Sequence, residues 1–373
     1  MLIGSLLNVA ITWSYSRSLL PVYAGISILL AIFAYRGFFA DWTRIDGIYG
    51  IICLYLLLES FVTGVLLRSG LKSMVMVNTS ILLPAAVSSL NIDTDNVKNG
   101  ARNVSLISLA LMFAQVNTGI LGRINSNTMS FLAYILLSTG FIWYGCSKVK
   151  LLPMVYLVFC MGIFLRTGSR NAAITIVLCL IVLSIPMAVV KRKSVYRAIY
   201  GAALLYSFFA LPVMEWGFSN PWLSNLLNTY ASSFSGKAWA MEGRMYFFMS
   251  IGEKINSLNF FTRLFGEGIC QHLGHNLYYQ CVYMWGIVGA VLIYVLLIRV
   301  FELAYQEVKR GNRLVYGCFT ILVGHIILNG ADVYLFGSES CQVLPMIIMG
   351  IMMQQNRSRI QKMREELVCN EDK

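Results

Sequence analysis

The stretch LRTGSRNAA, residues 165–173, sets Arg166 and Arg170 four residues apart between two apolar runs. Charge at the edge of a bilayer is costly. Two arginines one helical turn apart also make a fork that fits a phosphate or diphosphate. Lys237 in FSGKAW and Arg244 in EGRMYFF add two cations downstream. His275 and Asn276, in GHNLYYQCVYMWGIVGAVL, stand just before an apolar run that carries Tyr278, Tyr279, Tyr283 and Trp285. A neutral imidazole takes a proton from a hydroxyl near neutral pH, and aromatic rings stack on sugars. Plainer readings stand beside these: arginines snorkelling to headgroups, and an interfacial aromatic belt with a polar cap.

Other polar residues lie inside apolar runs: Glu59, Gln115, Asn117, His325, Asn329 and Asp332. The last three are spaced by four and three, so they share one helix face. They read either as a site or as hydrogen-bonding glue between helices. Asp93-Thr-Asp95 has the DxD form of some metal-dependent sugar transferases. It falls on the opposite side from the other candidates and reads as a polar loop.

The elements that position these residues follow from composition. The chain has 373 residues, 58% hydrophobic and 12% charged, with mean hydropathy +0.69. A soluble chain of this size carries about a quarter charged residues, so the pattern predicts an all-α, polytopic transmembrane helix bundle. Twelve apolar segments are expected, near 2–15, 19–35, 47–67, 73–90, 104–121, 128–147, 151–165, 172–190, 196–214, 276–298, 314–332 and 341–354. The first and last are short, which leaves eleven spans as the alternative. The whole chain, 1–373, reads as one integral membrane domain.

Charge orients it. Nineteen of the 29 lysines and arginines fall in loops on one side and ten on the other, which is the positive-inside pattern; with twelve spans both termini are cytoplasmic. That asymmetry accounts for the net charge of +12 without nucleic acid. Arg166, Arg170, Lys237 and Arg244 are then exceptions on the outer side. The last two lie in the one long extracytoplasmic loop, 215–275, where residues 238–255 read as an amphipathic helix. No removable signal peptide is expected. No span carries a central Gly-Pro pair, and no internal repeat supports an inverted-repeat transporter.

Six cysteines sit inside apolar runs and read as small hydrophobes, with no metal site or disulfide framework. No P-loop, HExxH, GxSxG or dinucleotide fingerprint occurs.

Ser169-Arg170 opening a span, a long outer loop with Gly243-Arg244, FGEG at 265–268, and His275-Asn276 before an aromatic helix with Gly286-Ile287-Val288-Gly289 together resemble the O-antigen polymerase and O-antigen ligase family. That family includes the Wzy-type polysaccharide polymerases. The resemblance covers about residues 160–300 in motif. It implies a metal-independent glycosyltransferase, without cofactor, in the bacterial plasma membrane. The donor it implies is an undecaprenyl-diphosphate-linked oligosaccharide, joined to another repeat unit at the outer face. Membrane lipid, a chain-length regulator and a flippase are the other implied partners. His275 is then the base, and Arg170 and Arg244 the diphosphate clamp. Arg166, Lys237, Asn276, Tyr278 and Tyr279 bind substrate. The alternatives are a ligase with the same chemistry and another acceptor, and a lipid-linked oligosaccharide flippase.

Overall fold

The computed structural model describes residues 47–66, 81–90, 92–118, 126–165, 170–226, 229, 241–268, 276–330 and 343–371. All regular structure among them is helical. The helices are α1 (Gly47–Leu66), α2 (Thr94–Thr118), α3 (Ser126–Cys146), α4 (Leu151–Leu165), α5 (Arg170–Ser184), α6 (Met187–Val190) and α7 (Lys193–Ser219). After these come α8 (Met241–Ser257), α9 (Phe260–Phe265), α10 (Leu277–Arg310), α11 (Arg313–Leu328) and α12 (Val343–Glu371). Helices cover the described parts of the expected segments from residue 47 onward, with α4 matching 151–165, residues 81–88 helical within 73–90, and 172–190 divided between α5 and α6. The segments at 2–15 and 19–35 lie outside the described residues.

Helix α11 is the axis. Every residue from Leu314 to Leu328 is buried, because α3, α5, α7, α10 and α12 surround it. Helices approach closely where side chains are absent. A Cβ on Gly145 would lie 2.8 Å from the Arg313 carbonyl oxygen, and one on Gly317 3.2 Å from that of Phe141. Tyr134 donates to the Ile321 carbonyl at 2.9 Å and Cys179 to that of Thr320 at 3.7 Å. Tyr134 and Cys179 therefore act as interhelical ties. The six described cysteines are free.

Outer helices carry continuous exposed apolar stripes. Ile287, Val291, Val295 and Ile298 repeat at helical spacing on α10, and Leu205, Phe209, Val213 and Trp216 repeat in the same way on α7. α1 and α4 carry similar stripes. A helix with apolar residues on both its packed and its open sides has no face suited to water.

One end of the bundle gathers the basic loops. The Lys150 ammonium donates to the Tyr144 and Gly145 carbonyls at the end of α3. Tyr305 donates to the Lys191 carbonyl at 2.9 Å. Arg197 makes a two-pronged pair with Glu302, at 2.8 and 3.0 Å, and Arg359 approaches Glu307 at 3.5 Å. Asp93 caps α2 there through the Asp95 and Asn96 amides. Lys98 lies 2.9 Å from Asp95 and holds that carboxyl below its usual range. The DxD aspartates thus serve a helix start.

By length and composition Leu277–Arg310 alone, among the described residues, is a candidate membrane span. It is not one straight rod. Gly286 has φ 67° and ψ −175°, outside any helix. The Phe208 ring lies 4.7 Å from the Tyr278 ring and 4.4 Å from the Tyr294 ring. The two tyrosine rings are therefore no further apart than those distances combined. Sixteen residues of straight helix would separate them by roughly 24 Å. Helix α10 folds back on itself at Gly286. A short arm, 277–285, runs antiparallel to the start of a long arm, 287–310. The expectation of an unbroken span at 276–298 is corrected: both arms are apolar, so hydropathy does not register the reversal.

Candidate active site

The glycine-rich pieces explain the elbow. Bending α10 frees carbonyls that a straight helix would use. Glu267 N donates to the Tyr283 carbonyl at 2.9 Å, and Gly268 N to that of Met284 at 3.1 Å. A Cβ on Gly286 would sit 2.1 Å from the Leu264 carbonyl oxygen, and one on Gly266 2.2 Å from that of Met284. Both glycines also have positive φ, which L side chains avoid. FGEG and WGIVG, separate in the sequence, form one joint. Residues 264–268 of the 215–275 loop are thus built into the bundle.

At the far end of the short arm stands Asn276. It is buried and caps α10, its Oδ1 accepting from Tyr279 N at 3.2 Å. Its Nδ2 donates to the Ser207 carbonyl at 3.0 Å and to the Gly330 carbonyl at 2.9 Å. Leu277 N donates to the Asn329 carbonyl at 2.8 Å. Both amide protons of Asn276 are committed within the protein. Asn276 therefore fixes the start of α10 against α7 and the end of α11.

Asn276 also stands apart from the elbow along the bundle. The short arm places it roughly 13 Å from the Gly286 elbow, toward the basic end. Tyr278, on the first turn, packs on Phe208 and lies 5.6 Å from the half-buried Tyr279. Ser207 and Tyr294 share a hydroxyl–hydroxyl bond beneath them.

Arg170 begins α5. Cys179 bonds Thr320 and Tyr316 bonds Val182, so α5 and α11 run antiparallel. Nine residues beyond the Cys179–Thr320 contact, roughly 14 Å, α5 starts at Arg170 and α11 ends at Asn329. Arg170 and Asn276 therefore occupy one level of the bundle. The structure describes the Arg170 backbone but not its side chain, and likewise that of Arg244 in the first turn of α8. Arg166, Lys237, His275 and Asp332 lie outside the described residues.

His325 and Asn329 do share a face. His325 is buried with its ring 5.0 Å from that of Tyr134, and Asn329 Nδ2 donates to the His325 carbonyl at 2.6 Å. Ser207 and Gly330 were not among the residues expected to matter, and Gly286 was named only as part of a motif, not as a bend. The pairing of two glycine-rich motifs within about twenty residues was the available signal.

Compared with models of protein families and with curated proteins, the chain matches none.

Proposed function

We propose that this chain is a polytopic plasma-membrane enzyme of eleven or twelve spans. It joins undecaprenyl-diphosphate-linked repeat units into polysaccharide, and with twelve spans both of its termini are cytoplasmic. The stripes of exposed apolar residues on α7 and α10 support lipid around the bundle, and the gathered basic loops support a cytoplasmic end.

One observation carries the catalytic reading. The starts of two helices, at Arg170 and at Asn276, lie at one level of the bundle, that of Asn329, and both helices pack on α11. Each helix start is a partial positive charge, and irregular backbone at membrane depth belongs beside protein or a wet cavity. An anionic donor headgroup suits that level, recessed from the outer end, better than a neutral solute does.

In this reading the acceptor hydroxyl attacks the anomeric carbon of the donor sugar, and the carbon–oxygen bond to the diphosphate breaks. His275, one residue before the Asn276 cap, takes the hydroxyl proton. Arg170, Arg166, Arg244 and Lys237 hold the charge that develops on the departing diphosphate. Tyr278 and Tyr279 line the approach of the sugars. A single displacement of this kind inverts the anomeric carbon.

Deletion in the host tests this reading. Loss of a polymerase leaves surface glycan of a single repeat unit. Accumulation of free lipid-linked polymer instead identifies a ligase. Loss of lipid-linked repeat units from the outer leaflet identifies a flippase.

A further inference from the structure

Helix α9 holds large aromatic side chains away from the protein. Phe260 and Phe261 are each 70% exposed, and Phe265 is also exposed. The first two rings lie 5.8 Å apart, edge to face, as one patch. Leaving a phenylalanine ring in water forgoes about 1.5–3 kcal/mol of burial, so a six-residue helix that shows three has an apolar occupant.

The mount of this patch is stiff. Asn259 caps α9 by accepting from Thr262 N at 3.0 Å, and Gly266 N closes its far end on the Thr262 carbonyl at 2.7 Å. Arg263 ties it to α8 by donating to the Asn256 carbonyl at 2.7 Å. The next residues are bonded to Tyr283 and Met284 at the elbow.

Position on the bundle says what the occupant is. The exposed stripe Ile287–Val291–Val295–Ile298 begins one residue past Gly286, so it starts where α9 is attached. On α7, Arg197 pairs with Glu302 and Ser207 with Tyr294. That antiparallel register brings the exposed Trp216 level with the elbow. From the elbow to the Arg197–Glu302 pair is roughly 24 Å, and to Arg310 roughly 36 Å, which brackets a bilayer core. Aromatic residues gather where acyl chains meet headgroups.

We propose that α9 is an interfacial foot. Phe260 and Phe261 insert into the headgroup–acyl boundary of the outer leaflet and hold the α10 elbow at a fixed depth. This rests on the membrane reading above. The fixed elbow in turn sets the depth of Asn276 one short arm below.

Photo-crosslinking tests it in the full chain. Phe260→p-benzoylphenylalanine and Phe261→p-benzoylphenylalanine keep an aromatic ring in place. Each is reconstituted into liposomes of radiolabelled phosphatidylethanolamine and phosphatidylglycerol and irradiated. The same residue at Val295, on the exposed stripe, and at Leu297, fully buried, gives the comparisons. Lipid adducts are expected at 260, 261 and 295 and lost at 297. Adducts at 295 without any at 260 or 261 overturn the foot and leave the membrane reading standing. No adduct at 295 either overturns both. A dimer-sized adduct from 260 or 261 overturns the foot by assigning the patch to a second copy of the chain.

Discussion

Gly286 and Leu264 touch through backbone alone: a Cβ on the glycine would meet the leucine carbonyl oxygen at 2.1 Å. With φ at 67°, Gly286→Ala adds backbone strain to that clash, at a cost above ~3 kcal/mol. The variant should lose most folded protein when extracted in mild detergent. Folded yield and melting temperature equal to wild type would show that α10 does not bend there.

Asn276→Ala removes two donated hydrogen bonds and leaves the Ser207 and Gly330 carbonyls without their donor, for roughly 2–4 kcal/mol. Asn276→Asp keeps the helix cap but supplies no donor. Both should lower the melting temperature in detergent, and Asp should be no better than Ala. Recovery by Asp would mean that the cap alone matters and that the ties to α7 and α11 do not.

Some of this was legible and some was not. Lys148, Lys150 and Arg166 bracket an apolar run, so the α4 bounds could be read from the chain. The basic end was legible from Lys98, Lys191 and Arg313 for the same reason: charge marks where apolar runs stop. The elbow was not. Leu277–Arg310 is apolar along nearly all its length, and periodicity is the same whichever way a helix runs. Only the φ of Gly286 and the shared contact of Tyr278 and Tyr294 with Phe208 reveal the reversal. Asn276 was legible as a polar residue before an apolar run, but its partners, Ser207 and Gly330, lie 69 and 54 residues away. No local pattern encodes them.

Close packing of α3 on α11 gives a third expectation. Gly317→Val puts two methyl groups against the Phe141 backbone, an overpacking cost of about 1–3 kcal/mol. Thermal unfolding of the purified protein should shift down accordingly. An unchanged midpoint would contradict the close approach at Gly145 and Gly317.

At the basic end, Glu302 accepts from Arg197 and from the Tyr200 hydroxyl. Because Arg197 is half-exposed, Glu302→Gln should cost only ~1 kcal/mol or less. The loss should shrink in high salt. A cost several times larger, or one indifferent to salt, would show that the pair is more deeply embedded than its exposure indicates.

The central claim is that helix starts at one recessed level carry glycosyl transfer. The direct measurement is the product ladder formed when purified protein in liposomes receives undecaprenyl-diphosphate-linked repeat units, with a chelator and no energy source. Wild type should extend the units. His275→Ala and Arg170→Ala should lose at least about a hundredfold in rate, the usual scale for removing an acid–base group or a charge-stabilising donor. Arg170→Lys should fall between, since a point charge replaces a fork. Full-length ladders from well-folded His275→Ala and Arg170→Ala protein, or no extension by wild type, would contradict the account.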